Sequence, residues 1–253
     1  MALLSVNNLT KMYKGQTTTA VSDVSFEVNE GEVVAFVGPN GAGKSTTIKC
    51  ITGIHPFDAG SVVVCGHDIK EDPIGAKMNM GYVSDDHATY ENLTGYDYLN
   101  FVCNVYRVPV NQRRQKIDSL AEMLEISSAL YKQINTYSHG MKQKICIIAA
   151  LVHSPKLWIL DEPMTGLDPR SAHMLKKLMR SHCEEGNSVF FSSHVLEVVE
   201  KLCDRVVIIN RGSIVKTLSE DDLKEISATS SLEDYFLALT SGEYRPELSK
   251  SGE

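Results

Sequence analysis

Nine residues constrain this chain more than any others: Gly38-Pro39-Asn40-Gly41-Ala42-Gly43-Lys44-Ser45-Thr46. They follow an apolar run, Val33-Val34-Ala35-Phe36-Val37, and open a segment that reads as a helix from Lys44 to Ile51. This is the P-loop pattern in its strand–loop–helix setting. Glycine lets the backbone wrap closely around a polyphosphate, where a Cβ would block the approach. Several N–H groups then point at a β-phosphate, and the helix start adds about half a positive charge. Lys44 is placed to reach the β- and γ-phosphates, and Ser45 to offer its hydroxyl to Mg²⁺. All nine residues are candidate nucleotide contacts.

A bound nucleotide needs a second element, and the chain supplies one. Lys156-Leu157-Trp158-Ile159-Leu160-Asp161-Glu162 is an apolar strand ending in two acids. Such a pair can simply cap a strand. Beside a P-loop it stands where Mg²⁺ needs an oxygen ligand, so Asp161 is the metal candidate, acting through water. Glu162 projects differently and is the candidate general base for an attacking water, a role worth about 10²–10⁴-fold.

The chain has 253 residues, 43% hydrophobic and 23% charged, which suits one large α/β domain or a core with an inserted lobe. A net charge of −7 argues against a nucleic-acid partner. No stretch near the first residues reads as an export signal. The longest apolar run, Ile145 to Val152, falls short of the roughly 20 residues that span a bilayer, so a membrane role is expected to come through a partner. Cys50, Cys65, Cys103, Cys146, Cys183 and Cys203 sit in apolar or helical contexts, and read as reduced, buried residues rather than disulfides or zinc ligands.

Leu3 to Leu9 and Val24 to Val28 read as antiparallel strands, Ser61 to Cys65 and Met80 to Val83 as further strands. Helical periodicity then takes over. Tyr96, Leu99, Val102 and Val105 form one stripe, as do Ile117, Leu120, Leu124 and Leu130, with Pro109 between the helices. This region is expected to be an inserted helical lobe. Alternation resumes with strands at 157–160, 188–192 and 206–209, helices at 169–185 and 195–203, and a hairpin through Asn210-Arg211-Gly212 into Ile214 to Leu218. Such alternation predicts a mostly parallel sheet covered on both faces. The fold class is therefore α/β: a P-loop core of RecA-like type, with an N-terminal antiparallel β subdomain and an inserted α-helical subdomain. The expected divisions are 1–85 with 153–218 for the core, 86–152 for the helical subdomain, and 219–253 for a helical tail whose final ten polar residues should fray.

Together the motifs resemble the ATP-binding subunits of ABC transporters over nearly the whole chain. Tyr137-Ser138-His139-Gly140-Met141 looks like that family's signature loop, opening a helix from Met141 to His153. Thr165-Gly166-Leu167-Asp168 resembles its D-loop, and Ser192-Ser193-His194 its switch histidine. Tyr13 matches the aromatic that stacks on adenine. The resemblance implies ATP and Mg²⁺ as cofactors. It implies an ATP-dependent dimer, either homodimer or heterodimer, with each nucleotide held between the P-loop of one copy and Ser138, His139 and Gly140 of the other. It implies separate transmembrane permease subunits, a cytoplasmic location against the inner face of the membrane, and Lys44, Glu162 and His194 as the catalytic set. The signature segment, the Thr-Gly-Leu-Asp-Pro run and the tail 231–239 resemble exporter ATPases for drugs, antibiotics or bacteriocins.

Two positions depart from the family pattern. His139 stands where the signature loop normally has glycine; it either adds charge near a γ-phosphate or points outward. Asp85, after Gly81-Tyr82-Val83-Ser84, stands where the family places Gln; it is acceptor only and one methylene shorter, and remains a candidate Mg²⁺ ligand. The competing readings are a soluble ABC-type ATPase that remodels a protein or nucleic-acid complex, and a P-loop kinase or GTPase. The chain lacks the Asn-Lys-x-Asp segment a GTPase would carry.

Overall fold

The structure, a computed structural model, describes residues 1–15, 17–86 and 90–241. In chain order the elements are β1 (Ala2–Lys11), β2 (Val21–Asn29), β3 (Val33–Val37), α1 (Lys44–Ile51), β4 (Ala59–Val64), β5 (His67–Asp68), α2 (Pro73–Met78), β6 (Met80–Val83), α3 (Gly95–Val105), α4 (Val110–Met123), α5 (His139–Leu151), β7 (Leu157–Leu160), α6 (Pro169–Glu184), β8 (Ser188–Ser193), α7 (Leu196–Leu202), β9 (Arg205–Asn210), β10 (Ser213–Leu218), α8 (Glu220–Thr229) and α9 (Leu232–Ser241). The ten polar residues expected to fray at the C-terminus lie outside the described residues.

Two sheets form. One is antiparallel, in the order β2-β1-β4-β5; the other runs β10-β9-β3-β8-β7-β6. In the second, β9, β3, β8, β7 and β6 are mutually parallel, and β10 joins β9 antiparallel as an edge. β3 and β7 are uninterrupted apolar runs, as suits strands covered on both faces, while β8 carries serines at both ends. Every residue of β3, β7 and β8 is buried.

The strand period of two splits this sheet's side chains between two cores. Val33, Ala35 and Val37 face a cluster shared with Trp158, Phe191 and the helices. Val34, Phe36 and Phe190 face the antiparallel sheet and α1. There Phe26 of β2 stacks 5.5 Å from Phe36 and 5.2 Å from Phe190. The helix-side cluster runs without a break from Leu99 and Ile117, through Ile145 and Ile148 of α5, to Trp158 and Phe191. The helical region thus shares its core with the sheet.

Helix boundaries follow local chemistry. Asp168 caps α6 by accepting from the N–H groups of Arg170 and Ser171, both at 3.0 Å, and Pro169 opens the first turn. Ser219 and Asp222 form a reciprocal capping box on α8. The structure corrects two expectations about the helices. The signature helix begins at His139, two residues before the expected Met141, because Ser138 is its cap: Ser138 Oγ accepts from Met141 N–H at 3.3 Å. Val105 is 57% exposed, because repeated steps of three drift off a 3.6-residue period and carry it about 120° round from Leu99, whereas Cys103, four residues after Leu99, lies in the core. The short elements β5 and α2 were not anticipated. Five of the six cysteines are buried and Cys65 is half-buried.

Candidate functional site

The phosphate loop hangs between the ends of β3 and α1. Its glycines are required by close approach. A Cβ on Gly38 would stand 2.3 Å from the Ile209 carbonyl oxygen, and one on Gly43, at φ 108°, would stand 2.7 Å from that of Ala20. The first turn of α1 follows, with N–H groups that have no intrahelical acceptor. Lys44 is 7% exposed and donates from Nζ to the Gly38 carbonyl at 2.7 Å. Its side chain is thereby folded back along the loop it belongs to.

β7 and β8 deliver the acidic side. Asp161 is buried, and its Oδ1 accepts from Ser192 Oγ at 2.6 Å. The same Ser192 oxygen accepts from the Glu162 N–H at 2.9 Å. One hydroxyl of β8 therefore holds both acids of β7, a link that the sequence reading missed. Burial raises the Asp161 carboxyl above its ordinary range, opposed by the Ser192 and Ser45 hydroxyls. Glu162 leaves the strand at φ 50°, a left-handed conformation that is uncommon outside glycine. Its Oε2 lies 2.7 Å from His194 Nδ1 and its Oε1 lies 3.8 Å from Lys44 Nζ. Glu162 is thus placed beside each of the other two residues expected to be catalytic.

Asn40 to Thr46, Asp85 and Glu162 line one cavity of about 340 Å³. His194 lines a neighbouring one of about 270 Å³ with Gly38, Pro39 and Asn40. Tyr13 is half-buried beside the loop: its hydroxyl is 3.2 Å from Thr46 Oγ1, and its ring meets His55 edge-on at 5.9 Å. Ser138, His139 and Gly140 do not line either cavity of their own chain. Ser138 and His139 are exposed and Gly140 is half-buried, at the N-terminal end of α5.

The donor set fits Mg²⁺. Asp161 Oδ2 is buried without a hydrogen-bond partner, Ser45 lies close enough to stabilise the Asp161 carboxylate, and Asp85 faces the same cavity. Among the described residues no cluster of three or more His, Cys, Asp or Glu could hold a metal. A cation here would take its remaining ligands from phosphate and water, which suits Mg²⁺ with its preference for few protein ligands.

Known proteins resemble this chain in sequence and in fold. A family model described as "ABC transporter" matches residues 21–165. The linearmycin resistance ATP-binding protein LnrL of Bacillus subtilis is 36% identical over 221 residues, covering 87% of this chain and 70% of that protein. A solved ATP-binding subunit of an ABC transporter superposes with a TM-score of 0.88 at 31% identity, covering 94% of this chain and 99% of the other. A third structure, described as the dimeric post-hydrolysis state of an ATP-binding cassette bound to ADP and Pi, shares the fold with a TM-score of 0.78 at 23% identity, over 86% of this chain and 98% of that one.

Proposed function

Because this chain belongs to the ABC transporter family, as one of its ATP-binding, ATP-hydrolysing subunits, we propose that it powers an exporter of a drug, antibiotic or peptide through separate membrane permease subunits. Its similarity to a protein named for antibiotic resistance supports the direction and class of cargo. Among the described residues no helix is long and apolar enough to cross a membrane, so the translocation path is assigned to the permease.

The observation that carries the mechanism is the contact chain Lys44–Glu162–His194 at the phosphate loop. Tyr13 stacks on the adenine while the loop N–H groups hold the phosphates. Lys44 exchanges its bond to the Gly38 carbonyl for the β- and γ-phosphate oxygens. Ser45, Asp161 and Asp85 are the residues that would hold Mg²⁺, which supplies positive charge to the β- and γ-oxygens. Glu162 accepts a proton from water as the water oxygen bonds to the γ-phosphorus. The bond from that phosphorus to the β,γ-bridging oxygen breaks, leaving ADP and phosphate. His194 holds Glu162 in line through Nδ1 and faces the γ-phosphate with the rest of its ring.

Ser138 and the N–H groups at the start of α5 serve the nucleotide of a second copy, since they stand away from their own phosphate loop. A homodimer with two working sites is the simplest assembly. The permease's cytoplasmic helix docks between Asp85 and the helical region. That face carries exposed aromatic side chains: Tyr90 is 59% and Phe101 44% exposed, with ring centroids 5.4 Å apart.

The test is Glu162→Gln saturated with MgATP, measured by light scattering alone and with the co-purified permease. The variant should bind ATP, dimerise and stop hydrolysing. A strictly monomeric variant in both settings would end this reading.

A further inference from the structure

The start of α5 is fastened to the loop that follows Glu162 within the same chain. Gln143, fully buried, donates from Nε2 to the Pro163 carbonyl. Three residues further along, Gly166 turns with φ 78°. The His139 imidazole lies against it: a Cβ built on Gly166 would stand 2.6 Å from His139 Cδ2 and 2.8 Å from Nε2. A Cβ on Gly140 would in turn stand 3.9 Å from the Gly166 carbonyl oxygen. The ring that residue 139 adds to the signature loop therefore occupies the space that Gly166 leaves by lacking a side chain. Arg170, at the start of α6, pairs with Glu125 just beyond α4.

We propose that His139 is a positioning residue for ATP hydrolysis, wedging the signature loop against Gly166. This rests on the reading that two copies share each nucleotide. The wedge sets the distance between two groups that serve different sites. Ser138 and the Gly140 N–H face the nucleotide bound to the other copy, while Glu162 faces the nucleotide of its own. With His139 and Gln143 both engaged, α5 and the 163–166 loop move as one body, so docking a second copy on Ser138 also loads the strained backbone at Glu162. A glycine at 139 would leave only the Gln143 tie, and the two groups could shift relative to each other. The ring acts here by its shape, not by its charge.

His139→Gly in the full chain should lower kcat for ATP hydrolysis about tenfold while changing KM for ATP less than about twofold, because Tyr13 and the phosphate loop still hold the nucleotide. His139→Phe, which keeps a ring, should retain kcat to within about twofold. Gly166→Ala should also slow turnover, and the double variant with His139→Gly should lose less than the product of the two single losses. A general weakening of the fold would not reproduce this split between kcat and KM or the rescue by Phe. An unchanged kcat in His139→Gly, an equal loss in the Gly and Phe variants, or strictly multiplicative losses in the double variant would each overturn the proposal. The same substitutions placed on Glu162→Gln separate the two levels. If Glu162→Gln alone dimerises with MgATP and the kinetic pattern fails, only the wedge is wrong. If it never dimerises, the shared-nucleotide reading falls and takes the wedge with it.

Discussion

His194 Nδ1 sits 2.7 Å from Glu162 Oε2, so these two residues are already bonded beyond the ends of β8 and β7. The two residues come from loops 32 positions apart, and they meet because β7 and β8 are parallel neighbours whose C-terminal ends lie side by side. Groups that act as a unit are not additive. His194→Ala and Glu162→Gln should each cut phosphate release by about 10²–10⁴-fold, and the double variant should be little worse than the poorer single one. Multiplicative losses in a steady-state phosphate assay would show that the two residues act independently.

Ser192 predicts a separate defect. Its hydroxyl bonds both Asp161 Oδ1 and the Glu162 N–H. Ser192→Ala should weaken activation by Mg²⁺, raising the half-saturating concentration about 10–100-fold, as is usual for partners of metal-holding carboxylates. A magnesium titration at saturating ATP reads this directly. Loss of kcat with unchanged magnesium dependence would restrict Ser192 to orienting Glu162.

Tyr13 should act on binding alone. Stacking of a base on an aromatic ring is worth about 1–3 kcal/mol. Tyr13→Ala should therefore raise KM for ATP by about 5- to 150-fold with kcat preserved. Tyr13→Phe forfeits only the contact between its hydroxyl and Thr46, and should stay close to wild type. A drop in kcat for Tyr13→Phe would point instead to the Thr46 contact holding the loop in shape.

Asp85 faces the phosphate cavity from the end of β6 and borders the face given to the permease. Asp85→Ala should slow cargo-stimulated turnover in reconstituted vesicles more than it weakens ATP affinity. Parallel losses in both would remove the coupling role.

Stability should fall on mild acidification. Burial pushes His153 and His182 down to about 4 from an ordinary value of 6.5, with Lys116 and Lys156 nearby adding to the effect. In the unfolded chain both would take up a proton near 6.5. Between these two values the unfolded state binds more protons, so folding stability is full above about pH 6.5 and is lost as pH falls towards 4. The loss is on the order of a few kcal/mol per residue at most. His182 Nε2 is buried without a partner. His182→Phe should thus lose less stability than wild type between about pH 7.5 and pH 4.5 in urea unfolding. An identical acid dependence would show that other groups govern it.

How much of this was legible from sequence depended on the range of each interaction. β3, α1, β7 and α6 announce themselves, because apolar runs, glycines and a Pro after a capping Asp are local signals. The phosphate loop and the acidic pair were readable for the same reason. The start of α5 was readable too, but the cap was overlooked: Ser138 before a periodic apolar run is an N-cap signal. Val105 joins its stripe only by repeated steps of three, which drift off the 3.6-residue period, so Cys103 rather than Val105 lies on the buried face. β5 has two residues and α2 six, too few to show a period. The double grip of Ser192 on Asp161 and Glu162, and the seat of His139 on Gly166, were not readable. Both depend on which strands and loops become neighbours, and a serine in a strand or a histidine in a loop is common enough to mean nothing alone.

The order of strands also bears on how this protein is made. β3 carries the phosphate loop but pairs only with β8 and β9, whose residues lie more than 150 positions later in the chain. During synthesis at about 5–20 residues per second, Val33 to Val37 must wait on the order of ten seconds or more for those neighbours to leave the ribosome. The β1–β2 hairpin can pair meanwhile, since both its strands emerge first. For that interval the most apolar strand of the nascent chain has no edge to join, and it is the segment on which a chaperone would be expected to settle.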